Sequence, residues 1–239
     1  MQRRHLITIM ATLVLSIAAA SHSFASEFIS RCTDTDTACK QFEAWILAEQ
    51  PQKVVEQYDP AKQYSDASRS YVGDAYLSLA SADNISPEVE ESYYWKALKV
   101  GHSIAYMGLY FSTVQKDEKK ALDYLREYVK TGPADTVPYA ILGESELNQK
   151  NYTLADSYLR QAKKVAHAHS PRIDWLLFKT NYLLKNYEFA AEMFESAATK
   201  GAFEKEIKAL GSDARFEGIH KRPEFKKYQG MLIRPEKST

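Results

Sequence analysis

Glycine and proline are scarce in this chain, 9 and 8 among 239 residues. That scarcity weighs against a sheet protein, whose many tight turns draw on both. Cysteine is scarcer still, with only Cys32 and Cys39. Neither charge dominates: 31 basic residues face 31 acidic ones, with no basic stripe for nucleic acid and no acidic tail for a polycation. No Gly-rich phosphate loop, GxSxG elbow or HExxH occurs, so the motifs that most directly announce nucleotide, serine-hydrolase or zinc-protease chemistry are missing. Tyrosine is plentiful, 16 residues in all, and suits the interfaces of stacked helices.

The first residues read as an export signal. Arg3 and Arg4 form a short positive region, Leu6 to Ala20 is uncharged and apolar, and Ser23-Phe24-Ala25 is a small-x-small cleavage signal. An apolar core of about 15 residues is short of the roughly 20 that a membrane span requires. Cleavage after Ala25 is expected, giving a periplasmic or secreted product with no stable membrane insertion. The apolar run does not end at a cysteine, which argues against a lipoprotein, and the arginine pair lacks the rest of a Tat signal. Without Arg3 and Arg4 the balance becomes 29 basic against 31 acidic residues. In an oxidising compartment Cys32 and Cys39 are expected to pair. The loop so closed stabilises by about 2 kcal/mol and pins the start of the first helix. A redox role is the alternative, although six residues separate the two rather than the two of CxxC. Asp34-x-Asp36 hints at calcium, but no glycine or distal glutamate completes an EF-hand loop.

Two segments align at a 35-residue offset. Tyr139-Ala140-Ile141-Leu142-Gly143, Lys150-Asn151-Tyr152, Ala155, Leu159 and Ala162 are followed by Leu177, Lys185-Asn186-Tyr187, Ala190, Phe194 and Ala197. Small Ala155 and Ala190 allow two helices to approach, and Leu159 and Phe194 fill the space one turn on. This pattern resembles the tetratricopeptide repeat, with Leu-Gly in a first helix and Ala, a large apolar residue and Ala in the second. Phe178 stands where that family has glycine, which predicts a slightly wider second pair. Upstream, Ser92 to Val100 ending at Gly101 and Asp117 to Arg126 running on to Gly132 resemble the second helix of Sel1-like repeats, Gly101 and Gly132 each ending a helix, and Ala105-Tyr106-Met107-Gly108-Leu109-Tyr110 resembles the first helix. Ala209 to Phe216 and Arg222-Pro223-Glu224-Phe225 resemble the segment that caps a final repeat.

The fold expected is therefore all-α, a right-handed α-solenoid of antiparallel helix pairs. Its parts are a signal peptide at 1–25, an N-terminal helical cap with the Cys32–Cys39 disulfide at 26–63, and Sel1-like pairs at 64–132. Two tetratricopeptide-like repeats follow at 136–200, then capping helices and a polar tail at 201–239. In the cap, a helix over about 37–49 is expected, with Pro51 and Pro60 marking its end and the next start. A helix from Tyr64 to Leu79 would pair with one at 88–100.

No catalytic residue, metal ligand or cofactor is assigned. His167 and His169 lie two apart, do not share a helix face, and read as solvated helix-end side chains. Glu90-Glu91 and Glu144/Glu146 have the spacing of ordinary helix surfaces. What remains is a surface. In repeats of this type the first helix of each pair lines the concave side, which would present Glu144 and Asn148, with Val137 and Ala140, from one pair. Arg172, Trp175, Lys179 and Tyr182 would follow from the next, with His102, Leu109 and Ser112 before them. Trp, Tyr and Arg are enriched in binding hot spots; the alternative is that Trp175 and Tyr182 pack between repeats. Such a groove suits a protein or peptide partner in the cell envelope rather than nucleic acid. The leading reading is a non-enzymatic interaction scaffold for an envelope or secretion assembly. A cell-wall-related enzyme, or an inhibitor of the Sel1-like type, and a purely structural spacer are the alternatives. Partner identity and oligomeric state are not legible.

Overall fold

The structure, a computed structural model, describes residues 30–198, 203–210 and 212–232. The export signal read over 1–25 and the polar tail from Arg234 lie outside the described residues. Among the described residues every regular element is helical. The chain divides into two compact units, Met1–His102 and Ser103–Thr239, so the boundary falls within the 64–132 stretch.

The first unit holds α1 (Thr37–Leu47), α2 (Pro51–Gln57), α3 (Asp66–Ala80) and α4 (Pro87–Lys99). Cys32 and Cys39 form a disulfide, and Cys39 is fully buried beside Phe42, Val54, Tyr71 and Ala75. Asp36 caps α1 by accepting the Cys39 N–H at 2.8 Å, which satisfies one of the orphan donors of the first turn. The second proline of the cap, Pro60, starts no helix; Pro51 does, at the first position of α2, where its missing N–H costs nothing. α3 packs against α4, the pair expected from the sequence. α4 ends at Gly101, whose φ of +89° is left-handed. The His102 N–H then donates to the Ala97 carbonyl at 3.0 Å, closing the helix end. Gly132 does the same for a later helix at φ +68°.

The second unit is built from consecutive pairs: α5 (Ala105–Thr113) with α6 (Glu118–Lys130), α7 (Thr136–Asn148) with α8 (Tyr152–Val165), and α9 (Pro171–Leu183) with α10 (Tyr187–Ala198). Three- or four-residue turns join the partners of each pair, so each is an antiparallel hairpin. Starts are marked by Asp117, Asp135 and Ser170, each accepting a backbone N–H of the first turn. The small and large positions of the 35-residue pattern are all in the core: Ala155, Leu159, Ala162, Ala190, Phe194 and Ala197 are each fully buried. Gly143 shows why a small residue is needed opposite Leu159. A Cβ placed there would lie 2.6 Å from Leu159 Cγ.

After α11 (Glu204–Leu210) the chain makes three short 3-10 turns over 214–228 and the single-turn α12 (Gln229–Leu232). Phe216 and Phe225 set their rings 5.7 and 5.9 Å from Phe178, and Tyr228 sits 4.9 Å from Phe194. These residues cover the last repeat as a cap. Phe178, at the position usually held by glycine, is itself completely buried and supplies the ring on which that cap assembles.

Candidate interaction face

The pairs α7–α8 and α9–α10 are closed by the same polar device. Lys150 and Lys185 take left-handed φ values of +67° and +64° at the turn. The following Asn then turns its side chain back onto the first helix instead of capping the second. Asn151 Nδ2 donates to Glu146 Oε2 at 2.8 Å, and Asn186 Nδ2 donates to Asn181 Oδ1 at 3.2 Å. Glu146 and Asn181 are 35 residues apart, exposed by 2% and 1%. The expectation that Glu146 lies on a solvated face is thus corrected. Arg126 Nη2 reaches it at 3.0 Å from α6, so a charge on one helix is neutralised by its neighbour. Asn181 likewise reaches Asp156 Oδ1 on α8 at 2.7 Å. Buried polar groups at a fixed repeat position, each fully bonded, fix the register of α7 and α9 and hence the direction in which their outer faces point. The two pairs are successive copies of one helical hairpin, 35 residues apart.

On that face the structure brings part of the expected set together. Arg172 Nη2 meets Glu144 Oε2 at 2.6 Å, bridging α9 and α7. Lys179, two turns after Arg172 on the same stripe, is half-buried. Its ammonium is held below the ordinary lysine range, first by burial and then by repulsion from Arg215, against the pull of Glu144 and Asp213. Arg215 is itself clamped by Asp213, at 3.0 to 3.1 Å through Nε and 2.6 Å through Nη2. Among the described residues no carboxylate lies within 4 Å of Lys179. Asn148 is exposed at the end of α7.

Trp175 and Tyr182 do not join them. They are only 7% and 6% exposed, and the alternative of packing describes them. Trp175 stacks on Phe203 with the ring planes 6° apart, and Tyr182 lies against Phe216 at 5.1 Å. The reason is geometric. At 100° per residue, positions 175 and 182 form a stripe about 60° around the helix from 172 and 179, and the C-terminal segment covers that stripe. Leu109 is likewise fully buried, and Ser112 Oγ donates to the Leu109 carbonyl at 3.1 Å. His102 belongs to the first unit, where it pairs with Asp74 at 3.2 Å.

A second cluster was not foreseen. Asp174, in the first turn of α9, is 1% exposed. Its Oδ2 accepts from Ser196 Oγ at 2.6 Å and meets His169 Nε2 at 2.6 Å, while Lys163 Nζ donates to Oδ1. His169 Nε2 also contacts Ser196 Oγ at 2.7 Å. His169 is therefore tied into the fold rather than simply solvated. The cluster borders a cavity of about 300 Å³ that also receives His167 and Ser170. Serine, histidine and aspartate invite comparison with a nucleophilic triad, but the connectivity is wrong. A relay needs one ring nitrogen towards serine and the other towards aspartate. Here Nε2 faces both, and the serine proton goes to the carboxylate. The arrangement fastens the 166–170 connection to α10. The signal for it was present in the sequence only as an acid in a first turn beside a Ser-Pro start. Among the described residues no group of three or more His, Cys, Asp or Glu is placed to hold a metal ion, and no helix is long and apolar enough to cross a membrane.

Neither a protein-family model nor a curated protein sequence matches the chain. Among solved structures, MamA (AMB-1) is similar at 14% identity over 70% of this chain and 88% of its own, with a TM-score of 0.44. The APC/C Cut9–Hcn1 hetero-tetramer is similar at 17% identity over 81% of this chain, TM-score 0.39, and the match spans 36% of that chain. At such distances neither likeness speaks to ligand or activity.

Proposed function

We propose that the chain is an exported, non-enzymatic protein-interaction module that binds its partner on the concave face, along α7 and α9. The observation that carries this reading is Lys179, a half-buried cation without a carboxylate partner, set beside the Glu144–Arg172 bridge. Half-burying a cation costs desolvation that nothing in the fold fully compensates, and an acidic group on a partner would supply the missing charge. Asn148, Glu144, Arg172 and Lys179 then form the contact set, with Trp175 and Tyr182 behind it as rigid support. Export rests on the apolar run and cleavage signal before Ala25 and on the Cys32–Cys39 bond, which belongs in an oxidising compartment. An envelope or secretion assembly is the setting that this address favours.

The test is affinity capture from cross-linked envelope fractions with the wild-type chain and with Lys179→Glu, after circular dichroism has shown both to be equally folded. A protein retained by the wild type and lost from the variant is the expected result. Identical capture by both chains, or no reproducible capture, would count against the reading.

A further inference from the structure

A cavity of about 540 Å³ opens in the first unit, remote in sequence from the repeat face and independent of the function proposed for it. Three pieces of chain wall it. Thr35, Asp36 and Ala38 come from within the disulfide ring that Cys32 and Cys39 close; Gln41 and Phe42 come from α1; Gln57 ends α2, and Lys62, Gln63, Tyr64 and Ser65 belong to the connection into α3.

The polar groups of the wall fall into two classes. Asp36 is fully engaged. It accepts the Cys39 N–H at 2.8 Å, Ser65 Oγ at 2.5 Å and Ser68 Oγ at 3.2 Å, and these bonds hold its carboxyl below the ordinary range. Its work is to lace the disulfide ring to the start of α3; these donors occupy its oxygens, while its negative charge stays in the wall. Gln41, Gln57, Lys62 and Gln63 are the opposite case. Their side chains are exposed, and among the described residues none bonds to the protein. Three carboxamides bring two donors and an acceptor oxygen each, and the ammonium brings three donors and a positive charge. Of the two aromatic residues in the wall, Phe42 is buried and Tyr64 is the accessible ring. Tyr64 is partly exposed, is backed by Phe42 at 5.8 Å and Tyr58 at 5.2 Å, and is held by its Oη accepting the Asp59 N–H at 3.3 Å.

Groups that both donate and accept, arrayed around a fixed ring, complement a ligand whose polar atoms are mostly hydroxyls and whose C–H faces are apolar. Lys62, to which no carboxylate among the described residues is bonded, adds a direct contact for one negative charge. A wholly apolar ligand would strand the amides, because unpaired polar groups lose their water on contact. A peptide would be recognised through a free strand edge or apolar anchor pockets, and this cavity has neither. We propose that the cavity binds a short saccharide carrying one acidic group, with Gln41, Gln57 and Gln63 reading hydroxyls, Tyr64 packing against the sugar face, and Lys62 pairing with the acid.

Calorimetric titration of the full oxidised chain tests this with three probes: a disaccharide containing one uronic acid, its neutral counterpart of equal size, and a blocked trialanine. The acidic disaccharide is expected to bind saturably, with the neutral one weaker and the peptide silent. Gln63→Ala should weaken the acidic disaccharide by about three- to tenfold, the worth of one or two hydrogen bonds. Lys62→Ala should abolish the difference between the two sugars, and neither side chain makes a bond that the fold would miss. Absence of saturable sugar binding, equal binding of both sugars by the wild type, affinity untouched by Gln63→Ala and Lys62→Ala together, or binding of the trialanine in place of the sugars would each overturn the proposal.

Discussion

Gly143 is the residue at which the repeat geometry is most exposed to test. Its helix would prefer alanine by about 1 kcal/mol on intrinsic propensity, yet an added Cβ would lie 2.6 and 2.7 Å from Leu159 Cγ and Cδ2. Overpacking of that kind costs about 1–3 kcal/mol. Steric cost wins. Gly143→Ala is therefore expected to lower the urea midpoint, whereas a helix governed by propensity alone would gain stability. The coupling is checkable as well: in a Leu159→Ala background the same substitution should be neutral or stabilising, since the clash is gone. The polar residues of the repeats teach a second lesson at this scale. Glu146, Asn181 and Asp174 are each buried and fully bonded. In the sequence they look like ordinary surface residues, because what buries them lies on a different helix, 20 to 25 residues away for Glu146 and Asn181.

At the scale of elements, α7 to α10 were legible because their core positions are small and large residues at strict helical spacing, repeated at 35. The turns were legible too, since Lys-Asn-Tyr recurs unchanged. α2 was not. It has seven residues, Pro51 included, too few to establish a periodicity. The placement of Trp175 and Tyr182 was equally out of reach, because it is decided by a cap whose rings arrive from positions 203, 216 and 225. That cap can be weighed directly. Phe225 is wholly buried between Phe178, Tyr182 and Phe194, so Phe225→Ala should cost about 3–5 kcal/mol. Thermal unfolding followed at Trp175 would show it, whereas a cap that merely rests on the last repeat would leave the transition in place.

For the molecule as a whole, pH offers a probe of both units. Burial, then the hydrogen bond to Glu43, pushes Tyr71 up to about 12 in the first unit. Burial, then the charge of Asp135, pushes Tyr128 up to about 12 in the second. A tyrosine raised in the folded state favours its neutral form there, so the unfolded chain loses that proton first. The stability contributed is complete below about pH 10, the unfolded value, and is lost as pH rises through 12. Lys179, lowered in the folded state, works the other way and recovers stability as pH approaches the ordinary lysine value. Tyr76, Tyr94, Tyr110, Tyr139, Tyr182 and Tyr228 are raised as well, and together the tyrosines outweigh one lysine. Urea midpoints should thus be level to about pH 9.5 and fall beyond pH 10, with Tyr71→Phe and Tyr128→Phe flattening the fall; an unchanged slope in the double variant would show that these rings are not the buried titrating groups.

Partner binding on the concave face along α7 and α9 is tested by a photo-crosslinking residue placed in the chain inside its own cells. Introduced at Asn148 and at Lys179, it is expected to trap one and the same protein, while Gln161 on the solvated side of α8 traps none. Equal trapping at Gln161, or trapping at none of the three, would rule out this face as the binding surface.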